Sequence, residues 1–191
     1  MESPSRDNAA EATGPVPGCT VWLTGLPSAG KSTVAEGVSD ALRARNRAVQ
    51  VLDGDQVRHQ LGDLPFDRAG RDLNVRRIGW LAAMLARHGV TVLVAAIAPY
   101  RDTRDSVRAL HQREALPFVE VHVAAPLKVC ADRDVKGLYA KQRAGVISKL
   151  SGVDDPYEEP LTPDLILRTD LEDSTRSVNA VMASLAERGL I

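Results

Sequence analysis

The octapeptide Gly25-Leu26-Pro27-Ser28-Ala29-Gly30-Lys31-Ser32 spells G-x-x-x-x-G-K-[ST], and each fixed position has a physical reason. The glycines allow a tight turn whose backbone N–H groups meet an anion, and a helix opening at the turn adds its positive end. Lys31 can reach the β- and γ-oxygens of a nucleoside triphosphate, and Ser32 can hold Mg²⁺. Pro27 has no amide to offer, but those of Ala29 to Thr33 remain. In a chain of this composition the pattern arises by chance in well under about one sequence in a hundred. Gly25, Ser28, Ala29, Gly30, Lys31, Ser32 and Thr33 are therefore the candidate contacts for ATP, with an ordinary Gly-rich turn as the bland alternative.

A second group follows at Leu52-Asp53-Gly54-Asp55-Gln56-Val57-Arg58, where two carboxylates and an arginine converge. Asp55 can accept a proton from an attacking hydroxyl or bind a Mg²⁺-bound water, and Arg58 can neutralise a substrate anion. Alone, the same residues describe a surface turn with an aspartate cap. Arg71 and Asn74 are three apart and share a helix face, with Arg77 offset; exposed helix arginines are usually solvated. In Ile97-Ala98-Pro99-Tyr100-Arg101, Pro99 ends a strand and Tyr100 offers a ring or a hydroxyl, though a plain strand-to-helix turn reads equally well. This strand lacks a terminal Asp to organise a second metal ligand, which leaves Asp55 for that role beside Ser32. Arg133 and Lys136 stand at the mouth of an expected lid, where cations would stabilise charge on a transferred phosphoryl group and closure would exclude water. His59, His88, His111 and His122 form no catalytic constellation and read as packing or surface residues.

The elements that must position these groups alternate. Short β-branched runs at Thr20–Thr24, Val49–Asp53, Val90–Ala96, Phe118–Val123 and Leu165–Arg168 read as strands. Helices are expected at Lys31–Arg45, Arg71–His88, Arg101–Glu114, Leu127–Asp132 and Ser174–Arg188, the second with Leu73, Ile78, Leu81 and Leu85 near one stripe. The alternation predicts an α/β fold of three layers with a mostly parallel five-stranded sheet, and the octapeptide between its first strand and first helix makes the expected fold a P-loop NTPase fold. Residues 1–18 read as a flexible tail, 19–191 as one phosphate-loop domain, and about 135–162, rich in Gly, Lys, Asp and Pro, as a lid.

Composition narrows the partners. In 191 residues, 24 Lys and Arg face 25 Asp and Glu, for a net charge of -1, so no bulk field holds a nucleic-acid backbone. The longest apolar run, Val90 to Ala98, is too short to span a bilayer and no targeting segment is visible, so the expected setting is the cytoplasm without membrane contact. Cys19 and Cys130 lie far apart without metal-ligand spacing and read as reduced core thiols. Only 5 of the cations are lysines against 19 arginines, which gives each lysine at a motif added interest.

Taken together and in order, GLPSAGKST, LDGDQVR, DLNVRRIG, IAPYRDTRDSVR, RDVKGLYAKQRAG and SGVDDPYE resemble adenylylsulfate kinase across nearly the whole chain after the tail. The resemblance implies transfer of the ATP γ-phosphoryl group to the 3′-hydroxyl of adenosine 5′-phosphosulfate, with Mg²⁺. It places Asp55, Arg58, Phe66, Arg71, Asn74, Ile97, Ala98, Tyr100, Lys136 and Leu150 at the sulfonucleotide, Gly25 to Thr33 and Arg133 at ATP, and Lys31, Asp55, Arg58 and Lys136 in catalysis. It also implies a homodimer and, since no sulfurylase domain is expected in this length, separate sulfurylase subunits. Family members often have a serine at Ala98, phosphorylated in some, so transfer here must be direct and in line. Many have an acidic residue at Gly70, and a glycine and an aromatic at Lys149 and Leu150. Those departures keep two other readings open: a diverged kinase for another nucleotide or small alcohol, and a non-catalytic nucleotide-binding regulatory subunit.

Overall fold

The computed structural model describes residues 17–62 and 64–191. Most of the expected tail, residues 1–16, lies outside the described residues. In chain order the elements are β1 (Thr20–Thr24), α1 (Lys31–Arg43), β2 (Val49–Asp53), α2 (Gly54–Gln60), α3 (Arg68–Arg87), β3 (Thr91–Ala95), α4 (Arg101–Arg113), β4 (Phe118–Val123), α5 (Leu127–Arg133), α6 (Leu138–Arg143), β5 (Leu165–Leu167) and α7 (Ser174–Glu187).

The five strands lie in the order β2-β3-β1-β4-β5, and the sheet expected to be mostly parallel is parallel at every pairing. The central strands β1 and β3 are buried along their whole length, as apolar runs covered by helices on both faces must be. Successive side chains point to opposite faces. Val21 and Leu23 therefore join α1 and α7 through Val34, Val38, Leu42 and Leu185, while Trp22 joins Ile78, Ala82 and Val107 of α3 and α4 on the other face. Cys19 and Cys130 are buried free thiols, as expected. His111, fully buried, bridges layers: its Nδ1 donates to the Val107 carbonyl, so its Nε2 accepts the Thr20 hydroxyl at 2.9 Å. Burial lowers its pKa, consistent with that neutral ring.

Several expected boundaries shift. β3 begins one residue later because the Val90 amide closes the end of α3 on the Leu85 carbonyl, and β5 ends at Leu167. α3 begins at Arg68, where the Asp67 side chain caps it by accepting from the Gly70 amide. One short helix, α2, was not expected, and α6 falls within the segment read as a lid. The stripe on α3 also differs. Leu73 is exposed, and the buried face is built from Val75, Ile78, Gly79, Ala82, Ala83 and Ala86.

Candidate active site

At the carboxyl end of the sheet a cavity of about 830 Å³ opens, where parallel α/β sheets gather their ligands. Its floor is the turn between β1 and α1. Gly30 caps α1 in the left-handed region at φ 102 with no side chain closing the helix end, so the first-turn amides stay available for an anion. Lys31 is buried and donates to the Gly25 and Leu26 carbonyls at 2.8 and 2.7 Å. Burial lowers its pKa to about 8. Of the turn residues, Ser28, Gly30, Lys31, Ser32 and Thr33 line the cavity, whereas Gly25 and Ala29 stand behind it. The Ala29 carbonyl accepts the Thr169 hydroxyl beyond β5.

The end of α5, the start of α6 and the residues between them clamp this turn. Tyr139, buried, donates its hydroxyl to the Pro27 carbonyl at 3.0 Å, and the Val135 amide donates to the Ser28 hydroxyl. Arg133 donates to the Thr169 carbonyl at 2.5 Å. Lys136 crosses to Asp55 at 2.6 Å. That hydrogen bond, ahead of the opposing effect of partial desolvation, raises the Lys136 pKa and keeps it charged.

Asp53 and Asp55 divide the work at the end of β2. One Asp53 oxygen accepts from the Asp55 and Gln56 amides and starts α2, while the other faces the Ser32 hydroxyl at 3.4 Å. The carboxylate nearest Ser32 is thus Asp53, and Asp55 faces Lys136. A hydroxyl beside hard carboxylate oxygens suits Mg²⁺, which binds few protein ligands and completes its shell with phosphate and water. Among the described residues no cluster of three or more His, Cys, Asp or Glu residues could hold a metal by itself.

The opposite lobe is built on α3. Arg71 is buried, contrary to the solvated arginine expected of a helix surface. Its Nε donates to the Phe66 carbonyl, Nη1 to the Ser151 hydroxyl and Nη2 to the Lys149 carbonyl, and Asp155 pairs with it at 3.3 Å. Arg58 donates to the Leu64 and Pro65 carbonyls and lies 4.4 Å from the centre of the Phe66 ring, which is itself exposed. Asn74 donates to the Gly54 carbonyl at 3.1 Å, but its Oδ1 is buried with no hydrogen-bond partner. A buried orphan acceptor on a cavity wall matches a donor on a ligand.

The wall from β3 is Ile97-Ala98-Pro99. All three carbonyls are taken from behind: Ile97 by the Thr24 hydroxyl at 2.6 Å, Ala98 by Arg104 at 2.7 Å and Pro99 by the Glu158 amide at 2.8 Å. None of those three donors lines the cavity, so the wall turns its acceptors away from an anionic ligand. Tyr100 stays outside the cavity, its ring under Arg68 and its hydroxyl 3.4 Å from Asp155. Leu150 is buried beside the cavity.

A family model described as adenylylsulphate kinase matches residues 17–168. The chain belongs to the adenylylsulfate kinase family. It is 50% identical to the adenylyl-sulfate kinase of Gloeothece citriformis over 91% of this chain and 97% of that protein. It is 52% identical to the one from Microcystis aeruginosa, over 91% and 94%. Among solved structures it is similar to the APS kinase of Mycobacterium tuberculosis in complex with AMPPNP and APS, with a TM-score of 0.87 and 43% identity over 90% of this chain and 99% of that one.

For this member of the family, sequence reasoning brought most of the cavity together but missed Asp155, Ser151, Thr169 and Tyr139. Thr169 lies just past the carboxyl end of β5, a position that itself signals a ligand edge. Nothing in spacing alone marks Asp155 as the partner of Arg71, since the contact spans more than 80 residues of chain.

Proposed function

We propose that this chain transfers the γ-phosphoryl group of ATP to the 3′-hydroxyl of adenosine 5′-phosphosulfate, releasing ADP and 3′-phosphoadenosine 5′-phosphosulfate. One observation carries the reading: a single cavity is lined at once by the phosphate-binding turn, by Asp55 and Lys136, and by Arg58, Arg71 and Asn74. Donor and acceptor can share that space, and phosphoryl transfer depends chiefly on such positioning and on charge neutralisation.

In this reading Gly30, Lys31, Ser32 and Thr33 hold the triphosphate, with Arg133 and Thr169 at its nucleoside end. Ser32 and the Asp53–Asp55 pair would hold Mg²⁺, which when bound neutralises phosphate charge. Asp55 orients the 3′-hydroxyl and takes its proton as the new O–P bond forms and the bond to the leaving ADP breaks. Lys136, held at Asp55, adds positive charge where the transferred group passes. Phe66 and Leu150 supply apolar surface for the acceptor base, and the Asn74 acceptor faces one of its donors. Ala98 has no oxygen to phosphorylate, so transfer is direct and in line.

The wider reading is a kinase domain over residues 19–191 with a lid near 135–162, working in the cytoplasm as a homodimer beside separate sulfurylase chains. No helix among the described residues is long and apolar enough to cross a membrane. Self-association is supported by Leu73 and Trp80, two helical turns apart on the outer face of α3 and exposed at 43% and 56%.

Purified protein given MgATP and adenosine 5′-phosphosulfate should form the 3′-phosphorylated product and prefer that acceptor over adenylate and other nucleosides. Lys31→Ala should abolish turnover with an unchanged circular dichroism spectrum. Turnover at the wild-type rate in that variant, or preference for another acceptor, overturns the reading.

A further inference from the structure

Six described non-glycine residues have left-handed backbone: Ser28, Asn46, Ala98, Ala115, Asp134 and Lys149. Asn46, Ala115 and Asp134 close the ends of α1, α4 and α5, where such a residue is an ordinary terminator. The other three all line the cavity, and strained backbone concentrates at functional sites. Ser28 belongs to the phosphate-binding turn and Ala98 to the wall after β3. Lys149, at φ 63, stands on neither.

A glycine would adopt this conformation without strain, and the loop uses only the backbone of Lys149. Its amide donates to Asp154 at 2.9 Å and its carbonyl accepts from Arg71. The side chain therefore adds nothing to the loop's own hydrogen bonding, yet it is an exposed cation at the cavity rim. The other cations there already have protein partners. Lys31 binds carbonyls of its own turn, Lys136 binds Asp55, Arg133 binds Thr169, and Arg71 uses each of its three nitrogens on Phe66, Ser151 and Lys149. The Lys149 ammonium makes no hydrogen bond or ion pair among the described residues.

We propose that Lys149 is a specificity-determining residue for the acceptor, its ammonium binding the anionic 5′ group of the nucleotide. The assignment rests on the function proposed above and adds a contact to it. The Lys149 carbonyl is bonded directly to Arg71, so this charge enters the acceptor lobe and not the lobe of the triphosphate. Arg71 keeps the loop in place, and the lysine supplies the mobile charge.

The test is steady-state kinetics of the full chain at saturating MgATP with adenosine 5′-phosphosulfate varied, for wild type, Lys149→Gln, Lys149→Gly and Lys149→Arg. Loss of one charge-assisted contact corresponds to a KM raised about tenfold. That rise is expected in the Gln and Gly variants, with the KM for ATP unchanged and Arg close to wild type. The Gly variant relieves the backbone, so a lost fold cannot explain its higher KM. A wild-type acceptor KM in both Gln and Gly variants overturns the assignment while leaving the function standing. Absence of product from the wild-type protein overturns both.

Discussion

Lys31 sits at the centre of the residue-scale chemistry, with its ammonium buried against the carbonyls of its own turn and a pKa of about 8. Between about pH 8 and the ordinary lysine value of 10.5, the free protein leaves this amine largely neutral, whereas a bound triphosphate favours the charged form. MgATP binding at pH 9 should therefore take up a proton, seen by calorimetry in buffers of different ionisation enthalpy. Equal heats in all buffers would count against it. The same shift carries a sign for folding. Below about pH 8 the burial penalty is present in full, and it fades as pH rises toward 10.5, because the unfolded chain then binds the extra proton. The turn around Lys31 was legible from type and spacing, since a phosphate-binding turn dictates its own residues, whereas Asn74 was placed at the site only by the resemblance. The division of labour between Asp53 and Asp55 was not legible. It depends on which carboxylate oxygen starts α2, and only the folded end of β2 decides that.

Elements hold the acceptor lobe together through close backbone approaches. A Cβ on Gly70 of α3 would lie 2.1 Å from the Pro65 carbonyl oxygen, one of the two carbonyls that anchor Arg58. Gly70→Ala would gain helix propensity of about 1 kcal/mol, but the backbone clash costs more, typically 1–3 kcal/mol. The expected outcome is a lower melting temperature together with a raised KM for the acceptor and an unchanged KM for ATP. A variant with wild-type acceptor KM would show that Arg58 does not depend on this contact. β1, β2 and β4 were readable to the residue because each is a short β-branched run ending at a charge or a turn. On α3, Ile78 is buried and Leu81 and Leu85 pack against the core as expected, but Leu73 is exposed because small residues fill the rest of the buried side. A Cβ on Gly79 would meet Val107 of α4 at 2.7 Å, so the helices pack too closely for large side chains there. α2 spans only 7 residues, too few turns for a helical period to show.

At the scale of the molecule, a chain of ion pairs runs behind the cavity wall from Arg104 through Glu120, Arg108 and Asp164 to Arg188, joining α4, β4, the approach to β5 and the end of α7. Arg104 also holds the Ala98 and Glu158 carbonyls, so the wall and the scaffold share one buried guanidinium. Glu120→Gln keeps the shape but strands that charge, and should cost about 3–5 kcal/mol, as breaking a buried pair does. Urea unfolding with an unchanged m-value measures it, and a loss below about 1 kcal/mol, the range of exposed pairs, would assign the network to the surface. The two tryptophans divide the molecule differently. Trp22 is wholly buried in β1, 6.1 Å from the Phe118 ring, while Trp80 is half in solvent on α3. Their emission should separate into a blue component that quenchers do not reach and a red one that they do. One fluorescence spectrum then follows the core and the outer face of α3 at once, and loss of acrylamide quenching in the red component alone would reveal a second chain covering that face.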